Sequence, residues 1–167
     1  GSVNVSDIQL TRIGKSIKNP VFPNVDGIKF LTHNLGCGGT RKDAGDLCEL
    51  IAGYICNPNV AGATILGLGC QNAEQHMLEE AIIRRDPERG KQVFFHEQQQ
   101  SESEEQFITE VIKSTFTGMA QANQNTRKAA PISKLVMGLE CGGSDGFSGI
   151  SANPALGYAS DVLNAVG

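Results

Sequence analysis

A chain of 167 residues, 40% hydrophobic, with five cysteines and a formal net charge of −4, is long enough for one domain with a real core. The acidic balance and the lack of a basic stripe argue against a nucleic-acid partner, and no apolar run approaches the ~20 residues that cross a bilayer. An odd number of cysteines in a chain of this size points to a reducing, cytoplasmic setting rather than a disulfide framework.

Gly1-Ser2 reads as a cleavage scar, leaving residues 3–167 as a single α/β domain. Ser6 is placed to cap a first helix over about 7–18, striped by Ile8, Ile13 and Ile17 and stopped at Asn19-Pro20. A strand follows over about 27–33. The Gly36-Cys37-Gly38-Gly39 turn leads into a helix over about 41–56, ended by Asn57-Pro58-Asn59. In that helix Cys48 and Cys56 are eight residues apart on one apolar face, which suits cysteine as a small buried hydrophobe. A second strand spans about 62–68, and Asn72 is placed to cap the next helix, which Asp86-Pro87 stops. A short third strand covers 92–96. A polar run over 98–105 precedes the longest helix, with Phe107, Val111, Ile112, Thr115, Phe116 and Met119 at helical spacing. A fourth strand is expected over 134–140, then a glycine-rich turn and a last helix from about Asn153-Pro154.

This alternation predicts a three-layer, Rossmann-like, doubly wound sheet of about four parallel strands with helices on both faces. The expected strand order is third-second-first-fourth, with a switch point that sets Cys37 beside Cys141. Such folds hold their ligands at the carboxyl edge of the sheet. Three cysteines fall there: Cys37, Cys70 and Cys141, each after a strand-like run and beside glycine or a small polar residue.

His33 and Cys37, four apart across a tight turn, suit either a shared metal ion or a nucleophile pair. Gly38 and Gly39 free backbone N–H groups at a helix start, where an anion is favoured. A strand end whose histidine bonds to backbone accounts for the segment equally well. Cys70 closes a β–α turn that is unremarkable alone. The run from Glu140 to Pro154 is the most informative. Cys141, Glu140, Ser144, Asp145, Ser148, Ser151 and Asn153 can all hydrogen-bond, and Gly142 and Gly143 permit close backbone approach. Local capping by Ser144, Asp145 and Asn153 is the alternative account, and a functional loop is the reading favoured here. His76 reads as solvated, and His96 with Glu97 as a hydrogen-bonded strand terminus.

Taken together, His33-Asn34-Leu35-Gly36-Cys37-Gly38, Gly67-Leu68-Gly69-Cys70-Gln71-Asn72 and the long run from Gly138 through Gly157 resemble the altronate/galactarate dehydratase family. The resemblance covers nearly the whole chain, in order and at similar spacing. It implies a sugar-acid hydro-lyase dependent on a divalent metal, Fe(II) or alternatively Mn(II). Members of that family are much longer, so the chain resembles their middle α/β domain, with other domains of the same polypeptide as partners and a homodimer as an option. Related sulfolactate sulfo-lyases share these motifs.

By residue type and position, His33 and Cys141 are the first candidates for metal binding or acid/base work, and Cys37 and Cys70 the next as metal ligands. Glu140 and Asp145 join the catalytic set. Gly38, Gly39, Gly142, Gly143, Ser144 and Asn153 are assigned to substrate. Three other readings compete. An iron–sulfur protein lacks its C-x-x-C core here. A non-catalytic α/β module would bind an anion without turnover. An isolated domain would fold and pack, with its site completed elsewhere.

Overall fold

The structure, a computed structural model, describes residues 21–88, 90–140, 143 and 145–167. The helix expected over 7–18 lies outside them, as do Cys141, Gly142 and Ser144. The chain divides into two compact units, Gly1–Thr126 and Arg127–Gly167.

In the first unit, Thr40 starts α1 (Arg41–Ile55) with a reciprocal cap. Its hydroxyl accepts from the Asp43 N–H, while the Asp43 carboxylate accepts from the Thr40 N–H at 2.9 Å. The helix then buries Ala44, Cys48, Ala52 and Ile55, spaced along one stripe. The carbonyl of Ile55 at its end and that of Asn57 just beyond are met by the Lys91 ammonium, which donates to both. Strand β1 (Gly62–Gly67) follows, then α2 (Gln75–Arg85), which buries Leu78, Ala81 and Ile82. Strand β2 (Gln92–Glu97) pairs with β1 in parallel, Ala63 opposite Val93 and Ile65 opposite Phe95.

Alternation along the two strands sends successive side chains to opposite faces. Ala63, Ile65, Val93 and Phe95 pack against the buried cluster of Cys48, Ala52, Ile55, Leu78, Ala81 and Ile82, so α1 and α2 cover one face together. The other face meets α3 (Glu104–Ala122), started by Ser103, whose hydroxyl accepts from the Gln106 N–H. There Thr64 and Thr115 share a hydrogen bond at 2.8 Å, and the Phe94 ring lies over Gly118. Arg84 and Arg85 reach Glu49 across the α1–α2 seam at 2.6 and 3.0 Å. At their exposure these pairs orient the helices more than they stabilise them.

The second unit holds α4 (Gly146–Ile150) packed on α5 (Ala152–Ala165), after a short 3-10 turn over Ile132–Lys134. None of its described residues is buried, and Val136 is 94% exposed.

Several expectations take a different form. Residues 27–33 carry no strand, and 132–134 form the 3-10 turn with no strand through 140. A strand is held by its neighbour's backbone. Neither segment joins the described sheet, and Phe30 and Leu139 are exposed. The sheet described is therefore two-stranded. Helix α2 starts at Gln75, with Glu74 rather than Asn72 at its cap, because the Asn72 amide is engaged elsewhere. The glycine-rich turn after 140 contains a helix, α4, capped by Asp145. Cys48 is buried and Cys56 packs against the same cluster, as expected of structural cysteines.

Two glycines separate backbone crowding from helix propensity. A Cβ on Gly62 would sit 2.6 Å from the backbone oxygen of Gln92, its partner across the ladder. Gly53 of α1 has open space around it. Gly62→Ala should therefore destabilise the protein by about 1–3 kcal/mol, whereas Gly53→Ala should stabilise it by about 0.5–1 kcal/mol. Urea midpoints of the two variants are expected to move in opposite directions.

Candidate functional site

The carboxyl ends of β1 and β2 gather the first unit's polar groups. Beyond β1 the chain turns through Gly69, whose φ of +104° lies in the region that favours glycine. A Cβ there would also come within 3.0 Å of the Gln99 side chain. The Gly69 N–H donates to the Gln71 side chain at 2.8 Å, and the Gln99 N–H to the Leu68 carbonyl at 3.1 Å. The first bond closes the turn after β1, and the second ties it to the 3-10 turn Gln98–Gln100 after β2.

Asn72 joins this turn to the one before α1. Its backbone N–H donates to the Gly36 carbonyl at 3.3 Å. Its side-chain amide donates to the carbonyls of Cys37 at 3.1 Å and Gly39 at 2.6 Å. One asparagine thus clamps the Gly36–Gly39 turn against the Cys70–Asn72 turn. The leucine before the first turn backs it, since a Cβ on Gly39 would collide with the Leu35 side chain. Behind the clamp, the Thr40 hydroxyl and N–H hold the Asp43 carboxyl below the usual carboxylate range.

Beside the clamp is an open cleft of about 390 Å³, lined by Gly69, Gln71, Glu74, His76, Glu79 and Glu97 among others. Glu74 is engaged on both oxygens: Oε1 accepts from the Arg41 guanidinium at 2.6 Å, and Oε2 faces His76 Nδ1 at 3.1 Å. The Arg41 hydrogen bond and charge hold Glu74 below the usual carboxylate range. This Arg41–Glu74–His76 chain escaped sequence reasoning, which set His76 aside as solvated. The signal for it was Glu74 and His76 flanking the start of a helix after a strand end. His96 meets its expectation: its Nε2 shares a 2.7 Å hydrogen bond with Ser114 of α3.

His33, Cys37 and Cys70 are exposed, and Gly38 and Gly39 lie in the bend before α1. Among the described residues no three His, Cys, Asp or Glu side chains are grouped to hold a metal ion. In the second unit Glu140 is exposed, and Asn153 stands in the first turn of α5. Asp145 is the N-cap of α4, its carboxylate accepting from the Ser148 N–H at 2.7 Å. That bond, followed by the interaction with the Ser148 side chain, holds Asp145 below the usual carboxylate range. The Ser148 hydroxyl donates to the Asp145 carbonyl and the Ser151 hydroxyl to that of Phe147, so local capping engages three of the loop's polar residues.

The thiols divide by environment. Cys37 and Cys70 are exposed, while burial raises the Cys48 thiol above its ordinary pKa. Since thiolate and access together set reactivity, a maleimide pulse at pH 8 should label Cys37 and Cys70 well before Cys48. Equal labelling rates, read by peptide mass spectrometry, would contradict the placement of Cys48 in the core.

Two glycine–cysteine turns, clamped together by Asn72, thus lie at the carboxyl edge of a parallel strand pair, each leading toward a helix. The chain belongs to the D-galactarate dehydratase/altronate hydrolase family: the description of that family's second domain matches residues 1–123, and that of the D-galactarate/altronate dehydratase C-terminal region matches residues 132–167. It is 37% identical to an altronate dehydratase of Bacillus subtilis (strain 168), over 85% of this chain and 27% of that protein. It is 34% identical to an altronate dehydratase of Escherichia coli (strain K12), over 85% of this chain and 28% of that one. A galactarate dehydratase (L-threo-forming) of Escherichia coli (strain K12) is 33% identical over 64% of this chain and 21% of its own length. The chain thus spans about a quarter of the length of the curated relatives it matches. No solved structure matches it significantly. No described helix is long and apolar enough to cross a membrane.

Proposed function

We propose that this chain is the α/β portion of a longer sugar-acid hydro-lyase, one that converts altronate or galactarate to a 2-keto-3-deoxy sugar acid. The observation that carries the reading is the clamp. The two turns whose motifs resemble the dehydratases are held as one polar edge by Asn72, in a chain 37% identical to an altronate dehydratase.

The reaction removes the proton on carbon 2 and the hydroxyl on carbon 3. It needs a base for the proton, an acid for the departing hydroxyl, and donors for the carboxylate on which charge develops. In this reading the backbone N–H groups around Gly38 and Gly39, at the start of α1, receive the carboxylate. Cys37 lies in that turn, His33 precedes it by three residues, and both side chains are open to an incoming substrate. Among the described residues no three donors for Fe(II) or Mn(II) are grouped. A metal requirement is proposed for the longer polypeptide alone, and elemental analysis checks it.

The deciding experiment is turnover of altronate against galactarate by the polypeptide that contains this chain, assayed with and without added Fe(II) and Mn(II). Formation of a 2-keto-3-deoxy acid from either substrate is expected. Conversion of neither, by protein whose helices are intact by circular dichroism, would remove the reading.

A further inference from the structure

Strand β1 pairs with β2 along one edge, and among the described residues its other edge carries no strand. Helices α1 and α2 sit on the same face of the pair, their buried residues forming one cluster against Ala63, Ile65, Val93 and Phe95. That placement has a topological consequence. A strand–helix–parallel strand unit is right-handed in about 98% of cases. With α2 on this face, the step from β1 to β2 runs in one direction across the sheet. With α1 on the same face, the step into β1 runs in the same direction. Whatever strand precedes α1 therefore belongs on the edge of β1 opposite β2.

The segment preceding α1 has the chemistry of a strand. Ile28, Phe30 and Leu31 fall within seven residues, and Phe30 is 65% exposed. Its far end is already fixed. Asn72 holds the carbonyls of Gly36, Cys37 and Gly39 just past the carboxyl end of β1, where a strand parallel to β1 must end. Leu66 of β1 is more than half exposed, so a docked strand finds apolar surface beside it.

We propose that residues 27–33 dock along the free edge of β1 as a third parallel strand, and that this docking carries His33 to the carboxyl edge of the sheet, level with the clamped turns. The docking stands on topology alone; the role it gives His33 rests on the dehydratase reading above.

Hydrogen exchange on the polypeptide that contains this chain tests it. Amides of residues 28–33 should exchange at least about 100-fold more slowly than a free peptide, as those of the paired strand β1 are expected to. Exchange of 28–33 at free-peptide rates, with α1, β1 and β2 protected, overturns the docking whether or not the protein turns over a sugar acid. Phe30→Asp should bring the 28–33 amides to free-peptide rates and lower turnover at least 10-fold, with α1 and α2 still protected. Unchanged turnover with 28–33 released overturns the delivery of His33. If the unsubstituted protein converts neither altronate nor galactarate, the dehydratase reading falls, and with it the role given to His33.

Discussion

Leu78→Ala should lower the stability of the first unit by about 3 kcal/mol, within the range seen for buried leucines. Leu78 is 5% exposed and sits where α2 meets α1, among Cys48, Ala52, Ile55, Ala81 and Ile82. Ala52 and Ala81 beside it are fully buried and let the helices approach closely, so the side chain fills space at the seam that neither alanine can reach. A cavity left unfilled adds its own cost to the lost transfer free energy. Against a total stability of about 5–15 kcal/mol for a domain, this is a large fraction. Leu50→Ala on the same pair of helices is the control. Leu50 is 59% exposed, and its truncation should change stability by about 0.5 kcal/mol or less. Urea unfolding followed by helical circular dichroism reads both. Equal midpoints for the two variants would mean that the α1–α2 seam is not the core.

The same seam explains what the sequence discloses. Helix α1 is legible because its information is local: Thr40 and Asp43 signal the start, apolar residues recur at helical spacing, and Asn57-Pro58 ends it. Strands β1 and β2 are legible for a related reason, being short apolar runs bounded by turn residues. Residues 27–33 and 134–140 carry the same local signal but do not join the described sheet, because a strand needs a partner that no local pattern specifies. The site divides similarly. The turn motifs around Cys37 and Cys70 both belong to turns that Asn72 joins. The contact itself was hidden. Asn72 before a helix reads as an N-cap, and only the approach of a turn more than thirty residues away diverts its amide to other carbonyls. Glu74 and His76 are likewise ordinary surface residues until Arg41, from the neighbouring helix, engages the carboxylate.

Asn72→Asp should be the most damaging single-atom change at the candidate site. It replaces the amide nitrogen, which donates to Cys37 and Gly39, with a carboxylate oxygen facing the same two carbonyls. Two hydrogen bonds are lost and acceptor is set against acceptor, so the turn before α1 must move. Asn72→Ala removes the bonds without the repulsion. Asn72 is half-buried, so water can reach the freed carbonyls, and the alanine variant should cost about 1 kcal/mol, the net value of an ordinary hydrogen bond. The aspartate variant should cost about 2 kcal/mol, since it also leaves acceptors unsatisfied. The larger effect falls on turnover. A displacement of about 1 Å in a positioning element can cost about 100-fold in rate, and Gly38 and Gly39 lie in the turn that Asn72 holds. In the polypeptide that contains this chain, Asn72→Asp should therefore reduce sugar-acid turnover far more than its stability loss accounts for, with faster amide exchange over 36–40 and unchanged protection of Leu78 and Ile82. A variant with normal turnover and normal exchange over 36–40 would show that the clamp positions nothing. Lost exchange protection with normal turnover would separate the turn from the chemistry and return attention to the cleft around Glu74 and His76.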